Sequence, residues 1–217
     1  MRKSRFSLYF FLLFLIVHTG CARPTLANLD SGGSAIICFG DSLTAGEGAT
    51  AGHDYPSRLS ELLGREVINA GVGGDTTESA LKRLESDVLR RDPLLVIVLL
   101  GGNDFLQKAS REATFRNLEE MVHRIESHGA MVVLVGVQAG LFGDAYRSDY
   151  KQVAQKYHAD FIPNILQGIF TDARLKSDEI HPNDAGYERM AQRIYKTVSP
   201  LLEKNAKLRK ETETSTF

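Results

Sequence analysis

The chain has 217 residues, 43% hydrophobic and 24% charged, which suits one globular domain with a full core. A net charge of −1 excludes the strongly basic footprint of a nucleic-acid-binding protein. Two cysteines exclude a disulfide-rich scaffold.

The first 27 residues read as a signal peptide. Arg2, Lys3 and Arg5 form a positive start, and Phe6 to Val17 is an apolar run broken by Ser7 alone. That run is short for a permanent span, although an uncleaved anchor is the alternative. Two processing sites compete. Thr19-Gly20-Cys21 resembles a bacterial lipoprotein box, with lipidated Cys21 as a membrane attachment, and Thr25-Leu26-Ala27 suits ordinary cleavage. Either way the domain is expected to be exported, to the bacterial periplasm or as a membrane-anchored lipoprotein. Taking the three basic residues from 26 leaves 23 against 27 acidic ones, a mildly acidic mature chain.

Residues 28–34, rich in Asn, Asp, Ser and Gly, read as a linker. Short apolar runs then alternate with amphipathic stretches. Ala35–Phe39, Val67–Asn69, Leu94–Leu100 and Met131–Val137 read as buried strands, with Asp160–Pro163 a weaker fifth. Unbroken apolar runs suit parallel strands covered on both faces. Ala80, Leu81, Leu84 and Val88 recur at helical spacing, as do Phe115, Leu118, Met121, Val122 and Ile125. Tyr55–Leu63 and Tyr150–Tyr157 read as shorter helices, and a last helix follows Pro182. This βαβα order predicts an α/β fold with a doubly wound parallel sheet over residues 35–202. Residues 203–217 read as a polar tail that frays.

In such sheets ligands bind at the carboxyl ends of the strands. Ser42 follows the first strand, Gly73-Gly74 the second, Gly101-Gly102-Asn103-Asp104 the third and Gln138–Gly143 the fourth. A serine hydroxyl needs a base to become a nucleophile. Asp178 and His181 are spaced so that one loop carries both, the carboxylate on one ring nitrogen and the other nitrogen free for the serine. Acyl transfer also needs donors for a developing oxyanion: Ser42 N–H, Gly74 N–H and the Asn103 amide are candidates. Leu43, Phe105, Leu106, Leu141, Phe142 and Ile180 are candidates for the acyl pocket. Cys38, inside the first strand, reads as a small buried hydrophobe. No metal or nucleotide motif is present, so no cofactor is expected.

Gly40-Asp41-Ser42-Leu43, Gly74, Gly102-Asn103-Asp104 and Asp178-x-x-His181 resemble, in order, the four blocks of the SGNH (GDSL-type) hydrolases. The phrases Ile68-Asn69-Ala70, Gly74-Asp75-Thr76 and Leu100 to Asp104 are most similar to the bacterial thioesterase, lysophospholipase and arylesterase group. The resemblance implies a three-layer α/β/α sandwich. It implies Ser42 as nucleophile, His181 as base and then acid, Asp178 as its orienting group, and Ser42, Gly74 and Asn103 as the oxyanion hole. The implied substrate is a small-molecule acyl ester, thioester or lysophospholipid. A carbohydrate or cell-wall deacetylase on the same scaffold is one alternative, and a catalytically inactive surface-binding lipoprotein is another. One departure stands out: Glu47 follows Gly46 where members of this group often carry an aromatic or aliphatic residue.

Overall fold

The computed structural model describes residues 26–137 and 144–214. Five strands, β1 (Ala35–Gly40), β2 (Val67–Gly71), β3 (Pro93–Leu99), β4 (Met131–Val135) and β5 (Asp160–Ile162), form one sheet in the order β2-β1-β3-β4-β5. Every pairing is parallel. The central strand β3 is buried along its whole length, which is why it reads as an unbroken apolar run. The edge strands β2 and β5 are covered less completely and tolerate polar residues such as Asn69 and Asp160.

Among the described residues seven α-helices connect and cover the strands: α1 (Ser42–Ala45), α2 (Tyr55–Leu63), α3 (Thr77–Asp87), α4 (Gly102–Leu106), α5 (Arg111–Ser127), α6 (Asp144–Lys156) and α7 (Asp184–Thr214). Helix α2 packs on α7, while α3 packs on α5 and α5 on α6, giving one layer on each side of the sheet. The stripes Ala80/Leu84 and Leu118/Met121/Val122/Ile125 are core faces, fully buried against the strands. Helix α6 begins six residues before the expected Tyr150. Cys38 is buried, and burial pushes its thiol well above the usual range, as suits a packing residue.

Two terminal expectations are corrected. Residues 28–34 are not a free linker: the Asn28 amide donates to the carbonyls of Glu126 (2.8 Å) and Ala130 (3.0 Å), and Ser31 is buried. Nor are the described residues after Leu202 irregular, because α7 continues to Thr214. The buried Asn205 amide donates to the carbonyls of Leu29 (3.0 Å) and Ser31 (2.9 Å), fastening this helix to the start of the domain. Leu26 packs against the core and the Ala27 N–H bonds the His158 carbonyl at 3.1 Å, so both residues belong to the fold. Cys21 lies outside the described residues. Among the described residues no helix is long and apolar enough to cross a membrane.

Candidate active site

The strand order reverses between β1 and β3, and the loops leaving their carboxyl ends bound a crevice there. Ser42 opens α1 at the end of β1. The turn before it is tight. A Cβ on Gly40 would lie 2.1 Å from Thr44 Oγ1 and 2.5 Å from the Leu99 carbonyl oxygen, so the strand passes into α1 only with glycine at that point. The Asp41 carboxylate accepts from the Leu43 N–H at 3.0 Å, while Thr44 Oγ1 meets the buried Tyr55 hydroxyl at 2.9 Å. Burial pushes the Asp41 carboxyl up to about 7, with the Leu43 N–H opposing and the Asp75 charge adding to the rise.

Asp178 and His181 sit on the loop before α7. Asp178 Oδ1 accepts the N–H groups of Ile180 and His181, both at 2.8 Å, and Oδ2 lies 2.8 Å from His181 Nδ1. The His181 ring, with the two backbone donors, holds the Asp178 carboxyl down at about 2. On its other side His181 Nε2 lies 3.1 Å from Ser42 Oγ. The three side chains, 139 residues apart between Ser42 and His181, thus form one continuous chain from carboxylate to hydroxyl. This loop is closed by Ser177 N–H to the His181 carbonyl (3.0 Å) and by the Asn183 amide to the carbonyls of Arg174 (2.9 Å) and Lys176 (3.3 Å).

Asn103 stands in α4 beside Ser42, and its side-chain amide donates to the Asp75 carbonyl at 2.9 Å. That bond ties the loop after β3 to the loop after β2, where Gly74 is solvent-exposed with φ of +77°. The neighbouring Asp104 is buried and accepts from Thr77 N–H (2.9 Å) and Thr77 Oγ1 (2.6 Å). Arg83 reaches into the same edge, pairing with Asp75 at 2.6 Å and donating to the carbonyls of Gly40 and Ala70, both at 3.0 Å. Asp104 stood in the sequence only as part of the Gly102-Asn103-Asp104 block, with no role given, and Arg83 was not singled out, since such contacts depend on partners distant in the chain.

Beside Ser42 lies a cavity of about 130 Å³ with mostly apolar walls. Leu43, Leu106 and Ile180 line it, together with the polar Asn103 and His181. Phe105 does not: its ring packs edge-on to Tyr146, with centroids 5.6 Å apart, and faces a neighbouring hollow. Leu141 and Phe142 lie outside the described residues. Among the described residues Val137, Leu166 and Phe170 also line it and were not expected; the last two come from the irregular segment after β5, which carries no periodic signal. Among the described residues no cluster of His, Cys, Asp and Glu could hold a metal ion.

The family model described as GDSL-like lipase/acylhydrolase matches residues 38–189, most of the sheet and the whole crevice. The chain belongs to that family. It is therefore a carboxylic ester hydrolase of the GDSL type, and its parallel five-stranded sandwich is the SGNH hydrolase fold. Among relatives of this GDSL-like chain, Esterase TesA of Pseudomonas aeruginosa is 28% identical over 85% of the chain and 97% of its own length. The Thioesterase 1/protease 1/lysophospholipase L1 of Escherichia coli is 25% identical over 91% of the chain and 94% of its own length. A crystal structure of TesA superposes with a TM-score of 0.73 at 28% identity, covering 77% of this chain and 99% of that one.

Proposed function

We propose that the protein hydrolyses small-molecule carboxylic esters of short to medium acyl groups through an acyl-Ser42 intermediate. The observation that carries this reading is the unbroken chain Asp178–His181–Ser42, at 2.8 Å and 3.1 Å, opening on an apolar cavity. Asp178 keeps the proton of the neutral ring on Nδ1, which leaves the Nε2 lone pair facing the Ser42 hydroxyl. As Ser42 Oγ attacks the substrate carbonyl carbon, its proton passes to Nε2, and the carbonyl electron pair moves onto oxygen. The Ser42 N–H, the Gly74 N–H and the second Asn103 Nδ2 hydrogen are the donors for that oxyanion. Collapse of the adduct breaks the bond to the leaving oxygen, which takes the proton from Nε2. Water, deprotonated by the same nitrogen, then releases the acid and restores Ser42.

The acyl chain fits the cavity beside Ser42. At about 130 Å³ it is close to the apolar cavities of about 150 Å³ that hold a benzene-sized molecule, which favours acyl groups of a few carbons. The test is a p-nitrophenyl ester series from acetate upward, with the wild type and Ser42→Ala. The expected result is highest kcat/KM at short chain lengths and a loss of about 10³-fold or more on Ser42→Ala. Activity that survives Ser42→Ala would overturn the assignment of the nucleophile.

A further inference from the structure

Glu47 occupies a position that the reaction does not explain. Its backbone is fixed twice, by its N–H to the Ser42 carbonyl at 3.0 Å and by the Tyr187 hydroxyl donating to its own carbonyl at 2.7 Å. Gly46 and Gly48 on either side have φ of +92° and +89°, a region that favours glycine. A Cβ on Gly48 would lie 2.7 Å from the Pro182 carbonyl oxygen and 3.1 Å from His181 Cβ, so this turn packs directly on the His181 loop. The side chain is thereby delivered to the rim of the crevice. Glu47 Oε2 lies 3.3 Å from His181 Nε2, the nitrogen that also faces Ser42, and Oε1 rests against Gly73. The carboxylate is half-exposed, and among the described residues no lysine or arginine lies within ion-pair distance of it. Two further carboxylates lie close by, Asp178 against His181 Nδ1 and Glu179 in the cavity lining.

Position decides what this charge can do. The apolar cavity is lined by Leu43, Leu106, Val137, Leu166, Phe170 and Ile180, and Glu47 is not part of it. Its carboxylate instead sits against His181 Nε2, the nitrogen that must hand its proton to the leaving group. A leaving oxygen that takes its proton from His181 must come within about 3 Å of Nε2. With Glu47 Oε2 3.3 Å from that nitrogen, the leaving oxygen is within about 6 Å of the carboxylate wherever it lies around the ring. A charge a few bonds further along the alcohol falls within about one Debye length at physiological salt.

Resting on the Ser42 reading, we propose that Glu47 is a specificity-determining residue. It selects against esters and thioesters whose alcohol or thiol portion is anionic near the reacting bond, and it favours neutral and cationic ones. The substrate class is thus narrowed to acyl groups on uncharged or positively charged carriers.

The experiment measures kcat/KM at pH 8 for three butyrate esters of phenol, bearing a para carboxylate, a para acetyl group and a para trimethylammonium. Wild type, Glu47→Gln, Glu47→Asp and Ser42→Ala are compared. Each ester differs in intrinsic reactivity, but that difference cancels when the charged-to-neutral ratio of a variant is divided by that of the wild type. So does any change in rate common to all three. Glu47→Gln is expected to raise the anionic-to-neutral ratio about tenfold and to lower the cationic-to-neutral ratio by a similar factor. Glu47→Asp should keep the wild-type order, and 1 M salt should compress the ratios of the wild type but not those of Glu47→Gln. Ratios that stay within about twofold in Glu47→Gln overturn the proposal. So do ratios that move as far in Glu47→Asp, because shape and not charge would then be responsible. Ser42-dependent hydrolysis with unmoved ratios sinks this inference alone, whereas a wild type inactive on all three esters sinks the acyl-Ser42 reading with it.

Discussion

Asp178→Asn separates the orienting role proposed for Asp178 from its part in holding the loop. In the wild type, Oδ1 accepts two backbone N–H groups at 2.8 Å, while Oδ2 accepts from His181 Nδ1 at 2.8 Å. The carboxyl titrates at about 2, so it is ionised throughout the neutral range. Asparagine is nearly isosteric. Its carbonyl oxygen can keep both backbone bonds, which leaves its NH₂ facing Nδ1. A donor at that point requires Nδ1 to accept, so the ring proton moves to Nε2. With a hydrogen on Nε2, the nitrogen 3.1 Å from Ser42 Oγ can no longer take the serine proton.

In a buried triad such a change costs about 10⁴ in kcat. Here the Asp178 side chain is 53% exposed, so water can stand in for the lost acceptor and screen the lost charge. The expected loss is therefore about 10²–10³ in kcat, equivalent to about 2.7–4 kcal/mol of transition-state stabilisation. Stability should move by no more than about 0.5 kcal/mol, since the side chain is at the surface and the backbone bonds remain. Steady-state kinetics on p-nitrophenyl butyrate, with urea unfolding of the same samples, reads both quantities. A variant with native stability and kcat within about fivefold of wild type would refute the orienting role.

Gly40→Ala brings a methyl group against Thr44 and the Leu99 carbonyl, and the backbone half of that clash cannot be relieved by a rotamer change. The expected cost is about 1–3 kcal/mol by urea unfolding, with lower activity because Ser42 stands two residues on; unchanged stability would show that the turn is looser than described. Asp41 gives the stability a pH signature. Its folded value of about 7 stands above the ordinary 3.8, so folding favours the protonated form. The contribution is complete below about pH 4 and is lost as pH rises through about 7, a change on the order of 4 kcal/mol. The difference in unfolding free energy between wild type and Asp41→Asn should follow that window between pH 4 and 8, and a difference flat in pH counts against the burial argument.

The three central strands were legible because burial on both faces leaves no polar residue inside them. Thus β1, β3 and β4 appear as unbroken apolar runs. Ser42, Asp178 and His181 stood out for another reason: the nucleophile, base and orienting acid of the proposed reaction are chemically constrained residue types, two of them within one short loop. What escaped depends on long-range partners. Residues 28–34 have linker composition, yet Asn28 and Ser31 are fixed by the carbonyls and amide of residues nearly a hundred or more positions away. The polarity of residues 203–217 suggested fraying, but Lys, Glu, Arg, Ala and Leu are strong helix formers, α7 runs to Thr214, and the Asn205 anchor supplies the tertiary hold. Leu166 and Phe170 were invisible as pocket residues because an irregular segment has no period from which to read a face.

The two sides of the crevice are built differently, and that bears on how such a site can change. On the Ser42 side, the loops after β1, β2 and β3 are laced together: Arg83 joins Asp75 to the Gly40 carbonyl, Asp104 bonds Thr77, and Asn103 bonds the Asp75 carbonyl. Strand register sets those loops against one another, with Gly40 opposite both Gly71 and Leu99. A substitution there disturbs several loops together, because each buried polar group left without its partner costs about 1–3 kcal/mol. On the other side, Leu166 and Phe170 contribute to the wall through apolar contact, from a segment outside the sheet ladder. Swapping one large apolar side chain for another costs less, about 1.5 kcal/mol or below when volume is kept. Acyl preference can therefore shift through residues 166 and 170 while the Asp178–His181–Ser42 geometry is conserved, and on the proposed reading Glu47 adds a control over the leaving group from its place 3.3 Å from His181 Nε2.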